Sequence, residues 1–131
     1  MLKQTVMAVL ALALLAVSAQ AAFAGHAPVV VGEADAGTTA RVAIGQLLVV
    51  RLPGNAGNGY QWFIDGDPTP ELILSGRKME SVAMPGGPLT TIFTYTAESP
   101  GTVTLKAKYI RTWEKDRPPA RTYVLTVTVT P

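Results

Sequence analysis

The chain has 131 residues, no cysteine, one histidine and a formal charge of +2, from eleven basic and nine acidic side chains. The absence of cysteine excludes thiol nucleophiles, disulfides and cysteine-type zinc sites, and a single histidine leaves no cluster of imidazole ligands. Apart from Lys3, the basic residues run from Arg41 to Arg121 interspersed with acids, without the cluster that a nucleic-acid footprint needs, so nucleic acid is not an expected partner.

The N-terminus reads as a secretory leader. Lys3 precedes an apolar run from Val6 to Val17, followed by small residues with A-x-A spacing at Ala19 to Ala21 and again at Ala22 to Ala24. The run is short for a membrane span, and its order of basic, apolar and small is that of a signal peptide; the alternative is an uncleaved anchor. The expected division is 1–24 as signal peptide and 25–131 as a single domain, periplasmic or secreted, with cleavage before Ala22 or Gly25. Only Lys3 of the basic residues falls in the leader, so the mature charge drops to +1.

Past the leader the strand signals come in series. Val29 to Val31 suggests an edge strand, with Pro28 at its start, where a missing N–H does least harm. Arg41 to Ile44 and Gln46 to Leu52 follow, separated by Gly45, and the second reads as buried. Gln61 to Ile64 is next, then the turn-rich DGDPTPE. Glu71 to Val82, interrupted by Gly76, suggests one bent strand or two short ones. Thr90 to Ala97 has period two, with Phe93 and Tyr95 on one face and Ile92 among threonines on the other. Thr102 to Ile110 turns Val103, Leu105, Ala107 and Tyr109 inward; Arg121 to Thr130 does the same with Tyr123, Leu125, Val127 and Val129. Seven or so short strands with regular turn signals predict an all-β fold, an immunoglobulin-like antiparallel β-sandwich.

Three connections are richer than a plain turn requires. The first is Gly54 to Trp62, GNAGNGYQW, with glycines free to adopt positive φ and a Tyr-x-Trp pair on strand alternation. It is either a long turn whose Tyr60 and Trp62 anchor the core, or a mobile binding loop pinned at one end by aromatics. The second, Met84 to Leu89, brackets Gly86 and Gly87 between Pro85 and Pro88, and is either a tight turn or a tip that presents its backbone closely. The third, Arg111 to Ala120, opens with Arg111 and Trp113; the tryptophan is either an interface anchor or a cap folded over the core. In such a sandwich, loops joining alternate strand pairs gather at one end, so all three are expected on the same rim.

Catalytic patterns are missing. His26 lies near the expected mature N-terminus, no G-x-S-x-G elbow is present, and no G-K-[ST] follows the glycines. Asp65 and Asp67 read as a strand-ending turn rather than a calcium site, and Glu71 with Glu80 lacks a cleft-forming insertion that would suit a glycosidase. The chain is expected to bind rather than to turn over, with no metal and no cofactor.

On these residues the sequence resembles the chagasin-like inhibitors of papain-family cysteine peptidases. That family's first loop, N-P-T-T-G-Y-x-W, corresponds to Asn55, Ala56, Gly57, Asn58, Gly59, Tyr60, Gln61 and Trp62. Its glycine-rich second loop corresponds to Pro85, Gly86, Gly87 and Pro88, and its R-P-W loop to Arg111, Thr112 and Trp113, followed by Glu114. Two departures stand out: Ala56, Gly57 and Asn58 replace Pro-Thr-Thr, and Thr112 replaces proline.

The resemblance implies a monomer that inhibits reversibly and without a covalent step. Gly57 to Gly59 would approach the catalytic cysteine, and Gly86 and Gly87 would lie along the substrate cleft. Trp113 would stack at its far side, with Arg111 fixing the loop or pairing with an acidic rim. The rival reading is a periplasmic or surface adhesion or carbohydrate-binding module. That module needs Trp62 or Trp113 flat on a shallow platform, whereas the inhibitor needs Trp113 at a ridge tip and Trp62 buried.

Overall fold

The computed structural model of the protein describes residues 27–131. The expected leader and His26 lie outside the described residues. Eight strands follow one another: β1 (Val29–Gly32), β2 (Thr39–Ala43), β3 (Leu47–Asn55), β4 (Gln61–Ile64), β5 (Leu72–Ser81), β6 (Pro88–Ala97), β7 (Gly101–Ile110) and β8 (Arg121–Thr130), with a one-turn 3-10 helix, Glu33–Asp35, after β1. They form two four-stranded sheets, ordered β1-β3-β6-β5 and β2-β8-β7-β4. Among the described residues no helix is long and apolar enough to cross a membrane.

The period-two pattern places the core. Leu48, Val50, Leu52, Phe93 and Tyr95 from one sheet face Trp62, Leu105, Tyr109, Tyr123, Leu125 and Val127 from the other, all buried. Each fully buried aliphatic or aromatic side chain contributes roughly 1.5–3 kcal/mol. With no disulfide available, this packing and the ladders carry the stability.

The expected sandwich forms, with two edge pairs that are parallel: β1 with β3 and β2 with β8. After β1 the chain does not turn back within its own sheet. It reverses through the 3-10 turn into β2 at the edge of the opposite sheet, then returns to the first sheet as β3, so each short edge strand lies parallel to its neighbour. The stretch from Glu71 to Val82 holds one strand, β5, with a register shift between Leu74 and Gly76. The ladder between β3 and β6 also runs further than the composition suggests. Gly54 pairs with Leu89 and Asn55 with Pro88, so four residues expected in loops belong to strands.

The open side of the sandwich lies between the edges β4 and β5. Arg77 on β5 closes half of it, donating from Nη2 to the Trp62 carbonyl at 3.1 Å with its guanidinium 5.3 Å from the Phe63 ring and 5.9 Å from that of Phe93. β4 covers β7 only from Ile110 to Ala107. Beyond that point a cavity of about 490 Å³ opens under the 65–71 crossover, lined by Ile64, Leu72, Leu74, Val103 and Leu105 among others. Asp65 at its mouth pairs with Lys108 at 3.8 Å, and the described residues hold no group of three or more metal-ligating side chains.

Candidate functional site

Register alone brings the three unusual loops to one end. The Asn55↔Pro88 pair sets the first loop beside the second, and the Gln61↔Ile110 pair sets it beside the third. The first loop therefore stands in the middle, and it bonds to both neighbours. Ala56 N–H donates to the Gly87 carbonyl at 3.0 Å on one side. On the other, Arg111 Nε donates to the Asn58 carbonyl at 2.7 Å.

Within the first loop, Gly57 and Gly59 take φ of +87° and +79°, which an L side chain adopts only at a cost. Between them the Asn58 side chain accepts from Tyr60 N–H at 3.0 Å, the local amide turn that asparagine favours. The glycines suggested a loop held only by its aromatic end; it is tied at Ala56, at Asn58 twice, and at Tyr60. Of these residues Ala56 stands where the family's pattern has a proline, and its bond to Gly87 uses an N–H that a proline lacks.

Tyr60 and Trp62 anchor the loop from below. Tyr60 stacks on Tyr109 with centroids 5.2 Å apart, Trp62 meets Tyr109 at 5.0 Å, and Arg111 lies 4.3 Å above the Tyr60 ring. Trp62 is 2% exposed, so it is a core residue and not a platform. Of the two roles left open for Arg111, the structure shows the internal one. Its Nε holds Asn58, its Nη1 holds Glu114 at 3.2 Å, and its plane covers Tyr60.

The third loop turns tightly behind it, with Glu114 N–H donating to the Arg111 carbonyl at 3.1 Å and Ala120 N–H closing the base onto the Tyr109 carbonyl at 3.0 Å. Glu114 also binds Arg117 at 3.4 Å. Thr112 and Trp113 are left at the tip, and Trp113 is 67% exposed; it does not cap the core. Its indole packs against the first loop at Gly59, where a Cβ would come within 2.4 Å of the ring.

In the second loop Gly87 is buried, its N–H bonded to the Met84 carbonyl at 3.1 Å and its carbonyl to Ala56. It supports the first loop, and the exposed residues are Pro85, Gly86 at φ +66°, and Pro88. Beside them Val82 and Met84 are also exposed, 56% and 60%. Neither is among the residues expected at the site. Apolar residues flanking a Pro-Gly-Gly-Pro tip were the available signal.

The result is a ridge of three bonded loops with an apolar flank at Val82 and Met84, a glycine tip in the centre and an exposed indole on the other flank. It has no nucleophile and base in contact; Arg111 and Arg117 both pair with Glu114, and Lys115 and Asp116 are exposed.

Comparisons with known proteins agree with that shape. Residues 41–127 match the family model described as chagasin family peptidase inhibitor I42. No curated protein sequence matches the chain. Among solved structures, the cysteine protease inhibitor EhICP2 from Entamoeba histolytica superposes with a TM-score of 0.72 at 27% identity, over 79% of this chain and 96% of that one. Amebosin gives 0.59 at 25% identity, over 79% and 98%. PbICP-C, solved in complex with falcipain-2, gives 0.55 at 21%, over 80% and 92%, and at that identity supports the fold alone. With two thirds of its length matched by the family model, the chain belongs to the chagasin family of peptidase inhibitors, and is an inhibitor rather than an enzyme.

Proposed function

We propose that this protein inhibits papain-like cysteine peptidases reversibly and without covalent chemistry, by seating its three-loop ridge in the substrate cleft. The observation that carries the reading is the bonding of the first loop to both neighbours, Ala56 to Gly87 and Asn58 to Arg111. Such a ridge keeps its shape before it meets a partner, which lowers the entropy lost on binding. The Gly57 to Gly59 tip approaches the catalytic cysteine, and Gly86 offers backbone along the cleft. Trp113 stacks on the far side. An interface of about 1,600 Å² is the standard size for an inhibitor of this kind. EhICP2, by its own description a cysteine protease inhibitor, supports the choice of target class. The carbohydrate-platform reading loses its requirement, because Trp62 is buried and Trp113 stands on a ridge. The leader pattern supports export to the periplasm or beyond, and the inhibitor acts as a monomer.

The test is a titration of papain with the protein purified from an exporting host, carrying the N-terminus that processing leaves. Competitive inhibition at submicromolar concentration is expected. Full peptidase activity in the presence of micromolar protein would overturn the proposal.

A further inference from the structure

The stem of the first loop is held from across the sandwich, by side chains that stand in for a missing strand. β1 accompanies β3 only as far as Arg51, opposite Gly32. Beyond that point β3 has a free edge on the side away from β6. Ala56 N–H points toward the β6 side, to Gly87, so alternation along the strand puts the Asn55 N–H and the Pro53 carbonyl on the free edge.

Three residues of the opposite sheet satisfy those groups. Trp62 Nε1 and Arg121 Nη1 both donate to the Pro53 carbonyl, at 3.0 and 3.1 Å, and the Tyr109 hydroxyl accepts from Asn55 N–H at 3.0 Å. Gly54 lies between, where a Cβ would meet the Tyr109 hydroxyl at 2.8 Å. Arg121 has three further contacts. Its guanidinium lies 5.2 Å from the Trp62 ring and 5.3 Å from that of Tyr109, and its Nη2 donates to Glu33 on the 3-10 turn.

Resting on the reading of the ridge as the peptidase-binding surface, we propose that Arg121, which belongs to none of the three loops, is a positioning residue for inhibition. It sets the direction in which the first loop leaves β3 by holding the Pro53 carbonyl against the aromatic stack. The planar fork reaches Pro53 and Glu33 together while stacking on two rings. A lysine ammonium keeps the charge but lacks the flat face and the second arm. Loosening the stem enlarges the set of loop conformations in the free inhibitor, and the effect on the complex falls mainly on its dissociation rate.

The experiment compares Arg121→Lys and Arg121→Met with the parent protein in two measurements: the rates of papain association and dissociation, and amide exchange in the free inhibitor. Losing one hydrogen bond to a charged donor predicts inhibition weaker by about tenfold in both variants. Dissociation carries the change, amides 55–60 exchange faster, and those of β7 and β8 keep their protection. Unchanged inhibition, or a loss matched by a uniform fall in protection across β7 and β8, overturns the proposal; the latter marks a merely structural role. If the parent protein itself fails to inhibit papain, the peptidase reading falls. Exchange at 55–60 then still decides whether Arg121 holds the loop.

Discussion

At the scale of single residues, the ridge depends on Gly59 and Trp113 occupying adjoining space. Both Gly57 and Gly59 have positive φ, but a methyl on Gly57 meets nothing within 4 Å, whereas one on Gly59 meets the Trp113 indole. Each alanine substitution therefore carries a backbone cost of about 1–2 kcal/mol, and only Gly59→Ala also displaces the indole. Trp62 is buried, so fluorescence changes in the free protein report on Trp113. Gly59→Ala is expected to shift the emission and Gly57→Ala to leave it in place; equal spectra would show that the indole is not seated on Gly59. Trp113→Ala should weaken papain inhibition by about 2 kcal/mol or more, if the exposed ring is the anchor the geometry suggests. A loss of less than about threefold in a papain titration would remove it from the anchors. The sequence left Trp113 undecided between anchor and cap, because side-chain burial is fixed by which strands face each other and not by local pattern. Arg111 was undecided for the same reason. The Asn58 carbonyl that claims it lies 53 positions away.

At the scale of elements, most of the sandwich was legible because its strands obey period two. Val103, Leu105, Ala107 and Tyr109, and their counterparts on β8, point inward as the alternation requires. What alternation does not encode is where a ladder ends. Gly54, Asn55, Pro88 and Leu89 have turn composition, yet they pair across β3 and β6. Nor does it encode cover on an outer face: Ile92 points away from the core, as its threonine neighbours imply, and is still buried between Arg51 and Lys78 in the register. The same holds for the gap between β4 and β5, which nothing in the sequence announces and half of which Arg77 closes. Arg77→Leu should lower stability by about 1–2 kcal/mol, through one lost bond to the Trp62 carbonyl and two lost ring contacts. A urea midpoint that falls with an unchanged slope would bear this out, and Arg77→Lys should restore little of it. An unchanged midpoint would mean that the two edges hold without the arginine.

For the molecule as a whole, three arginines far apart in sequence share one device. Arg121, Arg111 and Arg77 donate to the carbonyls of Pro53, Asn58 and Trp62, and each lies over at least one aromatic ring. Together they frame the segment that carries the central loop, a construction legible only once the sheets are stacked. The interior beneath them is less fully satisfied. Among the described residues, the buried hydroxyls of Tyr95 and Tyr123 have no hydrogen-bond partner. Burial pushes both phenols up to about 12, with the Asp35 carboxylate adding to the effect on Tyr123. In the unfolded chain they ionise near pH 10. Above that pH the unfolded state releases protons that the native state retains, so stability is intact below about pH 10 and falls toward pH 12, by at most about 1.4 kcal/mol per pH unit for each tyrosine. Tyr95→Phe deletes a hydroxyl that bonds to nothing. It should leave the urea midpoint at neutral pH unchanged or raise it, while making the alkaline decline shallower. A loss of more than about 1 kcal/mol at neutral pH would show instead that the hydroxyl has a partner, since only a satisfied group is costly to remove.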